Sequence, residues 1–450
     1  MIRAELKIYR AEILHFLDDP SVVGDANSYE YFPDGMLIVK NGRVEALGPT
    51  RELLLDIPPD IEVVHHRDTL IMPGFVDCHV HYPQTEIVAA YGEQLLEWLQ
   101  TYVFPTERAF ADAEKARQVA DIFLDELLRN GTTTALTVAT VHPTSVDAYF
   151  EAARARRMRM ICGKVLMDRN APDYLTDTPQ SAYTESRALI ERWHGKDRLR
   201  YAVTPRFAPT SSDEQLTRAG HLLRDYPDLY LHTHLAENLD EVAWVKTLFP
   251  QRSGYLDVYA HFGLLSKRSI FAHCLHLSDE EFKQLHQNGS GIAFCPTSNL
   301  FLGSGLFKLS TAEAAHIKVG LGTDVGAGTS FSLLQTINAA YKTQQLQKNI
   351  LSPLKSFYLA TLGGARTLDL ADRIGDFKPG KEADFIVLDY KATPILDLRL
   401  ANCKTISDRL FVLAMLGDDR VVKATYILGN ETYSRKAQSG PTTTGIAGGL

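Results

Sequence analysis

The chain is 450 residues long, 45% hydrophobic and 23% charged, the profile of an ordinary folded protein with room for one large domain and a smaller one. Its net charge of −8 counts against nucleic acid and anionic membrane as partners. No apolar run approaches the roughly 18 residues a spanning helix needs, and the charged stretch Arg3, Glu5, Lys7, Arg10, Glu12 is unlike a secretory signal, so a cytoplasmic location is expected. The five cysteines (Cys78, Cys162, Cys274, Cys295, Cys403) are scattered and free of any Cys-x-x-Cys spacing, and read as reduced residues.

In chain order, residues 1–73 carry short alternating runs such as Gly35-Met36-Leu37-Ile38-Val39-Lys40, broken by the turn pair Asn41-Gly42. From Gly74 the pattern changes to apolar strand-type runs alternating with helical periodicity. Strands are predicted at Gly74–His81, Thr133–Val141, Met160–Met167, Arg200–Phe207, Leu229–Leu235, Ser269–Leu275, Gly291–Pro296 and Ile317–Thr323. Helices are predicted between them: one carrying Ala116, Val119, Phe123 and Leu127, then Val146–Arg157, Ala182–His194, Asp213–Tyr226, Asp240–Phe249, Asp279–Gln287 and, last, Phe331–Leu346. Ser278 and Glu281 have the spacing of a capping box. Eight strands alternating with helices in about 300 residues is the arithmetic of an α/β (β/α)8 TIM barrel. A doubly wound sheet is the rival, but its glycine-rich nucleotide turn is missing. Residues 376–434 return to short alternating runs, so the two ends, 1–73 and 376–434, are expected to form a small β-sandwich domain beside the 74–375 barrel. The tail, 435–450, is too poor in bulky apolar residues to pack and is expected to be disordered.

Polar residues gather at one end of this barrel. His79 and His81 close the first strand, where alternation puts both imidazoles on one face, suiting zinc or a similar divalent metal. Arg206, His234, Glu237, His273, Asn299 and Asp324 fall at or just beyond the C-terminal ends of later strands, the face on which barrel enzymes build their sites. Cys78, between Asp77 and His79, is expected to pack outside the barrel, and Arg154-Ala155-Arg156-Arg157 to be a solvated helix face.

Together, Pro73-Gly74-Phe75-Val76-Asp77-x-His79-x-His81, His234-x-x-Glu237, His273 and Gly322-Thr323-Asp324 resemble the amidohydrolase superfamily. The segments Tyr91 to Leu99, Phe104-Pro105-Thr106-Glu107, Thr204 to Thr210 and Phe294 to Asn299 are similar to its guanine-deaminase family. The resemblance implies hydrolysis of guanine to xanthine and ammonia by a metal-activated water, in a homodimer with one Zn2+ per subunit, iron or manganese being the substitutes. It implies His79, His81, His234 and Asp324 as ligands, with His273 either a further ligand or a partner of the water. Strand four has no lysine to bridge two metals, and Lys164 on strand three reads as an ordinary barrel or surface lysine. The Pro-Cys-x-x-Cys zinc-deaminase pattern is absent.

Within that resemblance Glu237, three residues past a ligand, is the expected proton shuttle, with Asp324 and His273 assisting at the water. Arg206 offers a planar donor fork to the O6/N7 edge of guanine, Gln84 a donor and an acceptor to its N1/O6 edge, and Phe207 a stacking face. His81, His234, Glu237 and Asp324 complete the expected substrate contacts. His232, two residues before His234, is expected to be structural. Another aminopurine, a pterin or an s-triazine is the alternative substrate, and a non-catalytic scaffold would lack the ligands, all of which are present here.

Overall fold

Eight strands follow one another in chain order, Phe75–His81, Thr132–Val138, Arg159–Gly163, Arg200–Pro205, Tyr230–Leu235, Ser269–His273, Gly291–Phe294 and Lys318–Leu321, each parallel to the one before. The last closes on the first where Asp324 N–H donates to His79 O at 2.9 Å and His81 N–H to Val325 O at 2.8 Å. This computed structural model describes residues 5–435 apart from Asp60 and Glu93. It is the predicted (β/α)8 barrel, with strand ends shifted by a few residues. The tail expected to be disordered lies, past Arg435, outside the described residues.

The barrel has a packed interior rather than a pore. Val76, Leu136, Ile161, Ala202, Tyr230 and Ile270 come from six successive strands and form one buried cluster, with Ala365 and Leu368 in the same cluster. Cys78 belongs to this inner cluster, not to the outside of the barrel. The reason is a bulge. Pairing of the first strand with the second passes from Asp77 opposite Ala135 to Val80 opposite Thr137, so the first strand carries one extra residue. Strict alternation would set Cys78 and His79 on opposite faces; the inserted residue lets both face inward. Asp77 holds the bulge by accepting the His79 N–H and Thr323 N–H, each at 3.1 Å, and the Thr323 hydroxyl.

The helices around the barrel sit close to their predicted positions, from Ala113–Arg129 to Leu333–Leu346. The Ser278 capping box is present, with Ser278 Oγ accepting from Glu281 N–H and the Glu281 carboxylate accepting from Ser278 N–H. No helix among the described residues is long and apolar enough to cross a membrane.

The two flanks form a seven-stranded sheet that folds over on itself. Leu6–Phe16 and Val422–Ile427 stand three positions apart in the strand order, about 14 Å on a flat sheet. Yet the rings of Tyr9 and Tyr426 are 5.1 Å apart, and both pack on Phe385. The inner face of the expected sandwich is thus filled from both ends of the chain. The C-terminal flank is not all strand, however: Pro394–Leu400 and Ile406–Leu416 are helices. The second docks on Leu333–Leu346, with Tyr341 against Phe411 at 5.0 Å. Its apolar residues Leu410, Val412, Leu413 and Ala414 are buried there, so packing against a barrel helix overrides the local strand-like character of the flank.

Where sheet meets barrel, Glu382 accepts from Arg159 Nε at 2.8 Å and from Arg198 Nη2 at 2.7 Å, and Arg198 also pairs with Asp384. Burial alone would push the Glu382 carboxyl up, but the two guanidiniums outweigh it and bring it down to about 2 from 4.5. A depressed folded-state pKa stabilises the fold above the unfolded value and loses that contribution as pH falls from 4.5 toward 2. The loss amounts to about 3 kcal/mol. Denaturation curves of the wild type and Glu382→Gln are therefore expected to differ most at pH 5 and above and to converge only as pH falls to about 2. A gap independent of pH would contradict this pairing.

Candidate active site

Four side chains converge at the C-terminal end of the barrel. His79 Nε2 and His81 Nε2 each lie 3.2 Å from Asp324 Oδ1 and 3.1 Å from one another, and His234 Nε2 lies 3.3 Å from His81 Nε2. Three imidazole nitrogens and a carboxylate oxygen at this mutual spacing match a divalent-ion shell: donors about 2.0 Å from a tetrahedral centre stand about 3.3 Å apart. Burial lowers the pKa of all three rings, to about 4 for His79, which keeps them in the neutral form that metal binding needs. Burial would push the Asp324 carboxyl up, but His79 and His81 hold it well below the usual carboxylate range. The donor set fits a divalent metal.

Outer partners aim these rings. With Nε2 turned to the centre, Nδ1 carries the proton: His234 donates it to Arg206 O at 2.7 Å, and His79 to His232 Nε2 at 2.6 Å. His232 is thus tied to a ligand. Gln84 Nε2 lies 3.1 Å from His81 Nδ1, and the amide is itself fixed by Gly326, whose N–H donates to Gln84 Oε1 at 3.2 Å. The backbone is strained at the same strand ends, with positive φ at Ala236 (50°), His273 (71°), Cys274 (56°) and Asp324 (52°).

His273 stands beside the cluster. Its Nδ1 donates to Asn299 Oδ1 at 2.9 Å, while its buried Nε2 has no hydrogen-bond partner among the described residues and points between Glu237 Oε2 at 3.4 Å and Asp324 Oδ2 at 3.7 Å. An orphaned buried nitrogen facing two carboxylates marks the place for a water or substrate atom. Glu237 is buried and accepts from Ser304 Oγ at 3.3 Å. Burial pushes its carboxyl up, His273 pulls it back, and Asp324 and Glu241 push it further, so it holds a proton more readily than an ordinary glutamate. The turn after His234 is locked by Glu241, which accepts from the Glu237 and Asn238 N–H groups and from Tyr255 OH.

Beside this centre a pocket is lined by Gln84, Leu95, Trp98, Leu99, Arg206, Phe207 and Leu302. All nine residues picked out from the sequence therefore meet here: His79, His81, Gln84, Arg206, Phe207, His234, Glu237, His273 and Asp324. Glu107 was not among them. It takes both terminal nitrogens of Arg206, at 2.8 and 3.0 Å, and accepts from Gln84 Nε2 at 3.3 Å. The end-on fork attributed to guanine is thus occupied, leaving Arg206 Nε and the outer Nη protons for a ligand. Trp98 was also given no role; its indole N–H is buried without a partner among the described residues. Both lie in segments that carry the family resemblance, but nothing in the local pattern of either segment marks its part in the pocket. Lys164 is fully buried and pairs with Asp177 and, at 3.3 Å, with Glu185, so it is no surface lysine.

A histidine and aspartate metal cradle at the mouth of a (β/α)8 barrel defines a metal-dependent hydrolase, and the chain belongs to the amidohydrolase family, which it matches over residues 70–432. It is 55% identical over 424 residues to the guanine deaminase of Escherichia coli (strain K12), covering 94% of this chain and 96% of that protein. The solved structure of E. coli guanine deaminase superposes with a TM-score of 0.94 at 54% identity, over 95% of this chain and 100% of that one. The guanine deaminase of C. acetobutylicum, with guanine bound in its active site, superposes with a TM-score of 0.86 at 29% identity, over 95% of this chain and 100% of that one.

Proposed function

We propose that this protein is a zinc-dependent guanine deaminase, converting guanine and water to xanthine and ammonia. The observation that carries this reading is the meeting, in one buried pocket, of the four-donor metal cradle, a carboxyl poised to hold a proton, and the Glu107-Arg206-Gln84 array. The likeness to guanine deaminases supports it.

His79, His81, His234 and Asp324 would hold one zinc ion, with His273 beside them. When bound, the ion supplies the Lewis acidity that lowers the pKa of water toward 7. The chain's own groups do the rest. Asp324 takes a proton from the attacking water, and the orphaned His273 Nε2 orients that water toward the purine carbon. Glu237 delivers a proton to ring N3 as the new C–O bond forms, then relays the proton of the added hydroxyl to the departing amine as the C–N bond breaks, and the proton held by Asp324 returns Glu237 to its starting state. Arg206 and Gln84 read the polar edge of the base, and Phe207 with Leu95, Leu99 and Leu302 encloses its apolar faces and excludes water. The inferred cytoplasmic location rests on composition, and the inferred homodimer on the family resemblance.

Ammonia release should be measured for the metal-loaded protein against guanine, 8-oxoguanine, adenine, cytosine and a chlorotriazine at equal concentration. Guanine is expected to exceed the others by at least tenfold in kcat/KM. A better chlorotriazine or 8-oxoguanine would keep the machinery and discard the guanine assignment. Arg206→Ala is expected to raise KM for guanine by more than tenfold, through loss of charge-assisted hydrogen bonds worth about 1.5–3 kcal/mol each. An unchanged KM would remove Arg206 from substrate reading.

A further inference from the structure

On the face of the barrel opposite the active site, at the N-terminal ends of the third and fourth strands, barrel and sheet enclose a cleft of about 470 Å³. Seven arginines line it in a protein whose net charge is −8. Four of them are neutralised. Arg159 and Arg198 share Glu382 and Arg198 also holds Asp384, Arg154 pairs with Asp197 at 2.8 Å, and Arg373 with Asp372 at 3.1 Å. The remaining three, Arg43, Arg157 and Arg200, pair with no carboxylate among the described residues.

Those three come from separate elements. Arg43 opens a sheet strand and spends Nη1 on Gly380 O at 2.8 Å; Arg200 opens the fourth barrel strand and spends Nη1 on Leu199 O at 2.9 Å. Arg157 sits in the turn after Pro143–Ala155, with a left-handed backbone (φ 56°) that turns the chain out of the helix. The Arg154 to Arg157 run is therefore not uniformly solvated. Arg156 is clamped by Asp121 and Asp125, each at 2.8 Å, whereas Arg157 lines the cleft. Half-buried Arg200 is pressed down from the ordinary arginine pKa by burial and by the adjacent Arg159.

Holding three unpaired guanidiniums around one cleft costs self-repulsion that a purely structural network would avoid. A planar donor fork suits phosphate, which it can grip through two parallel hydrogen bonds. One phosphate, with a charge of at most about −2 at neutral pH, would leave part of this charge and most of the 470 Å³ unused. We propose that the cleft binds a polyphosphate group, the di- or triphosphate moiety of a nucleotide or an inorganic chain of phosphates, bridging Arg43 of the sheet to Arg157 and Arg200 of the barrel. Such a ligand would act at a distance from the catalytic pocket and would hold sheet and barrel together.

Equilibrium dialysis of the metal-loaded full chain against radiolabelled tripolyphosphate at low salt tests this directly, with bound metal assayed before and after. One tripolyphosphate per chain is expected, with affinity reduced at least tenfold in Arg43→Gln/Arg157→Gln and in Arg157→Glu, each of which lowers the charge of the cleft by two. Both altered positions are exposed, so the fold should persist, checked by unchanged melting and guanine turnover. Guanosine triphosphate binding more tightly than tripolyphosphate would identify the source as a nucleotide; equal binding would show that the phosphate chain suffices. No saturable binding up to millimolar concentration, or binding that both variants leave intact, would overturn the proposal.

Discussion

Glu237→Gln is expected to retain its metal and to lose at least ~100-fold in kcat for guanine, the ordinary worth of a positioned acid-base group. Glutamine keeps the shape and the hydrogen bond from Ser304 Oγ but has no proton to deliver to ring N3. The carboxyl is buried beside Asp324 and Glu241, an environment that raises its pKa toward the range where a shuttle both takes and gives a proton. Because Glu237 lies outside the four-donor cluster, metal content should be unaffected. Single-turnover kinetics with metal analysis on the same sample would check this. Near-normal turnover in the variant would show that the proton travels by another group.

The second large effect belongs to Glu107. Its carboxylate is fully buried and grips both terminal nitrogens of the equally buried Arg206. Glu107→Ala strands a guanidinium in an apolar pocket, and removing one partner of such a pair costs about 3–5 kcal/mol. Chemical denaturation should register that loss, and KM for guanine should rise as Arg206 and Gln84 lose their common anchor. Replacing both partners, Glu107→Met with Arg206→Met, should restore most of the stability while leaving guanine binding impaired. A Glu107→Ala protein with wild-type stability would mean that the pair is not buried as described.

The barrel was legible because its strands and helices each repeat a local period, and residues at strand ends inherit their position from it. His79, His234, His273 and Asp324 could therefore be placed by counting. Cys78 could not, since one inserted residue after Asp77 reverses the parity on which counting relies. The flank at 394–416 escaped for another reason: its helices are selected by docking on the barrel, as Phe411 against Tyr341 shows, and not by local pattern alone. Glu107 and His232 act through partners 99 and 153 residues away, beyond any local spacing rule. The fork of Arg206 was correctly placed at the pocket, but a sequence shows which donors a residue owns and not which of them a neighbour has taken.

The most direct test of the account is a zinc titration of the metal-free protein, following conversion of guanine to xanthine. Activity is expected to rise in proportion to added zinc and to level off at one ion per chain, with His79→Ala unable to follow. Full activity without metal, or a plateau at two ions, would contradict the single cradle formed by His79, His81, His234 and Asp324.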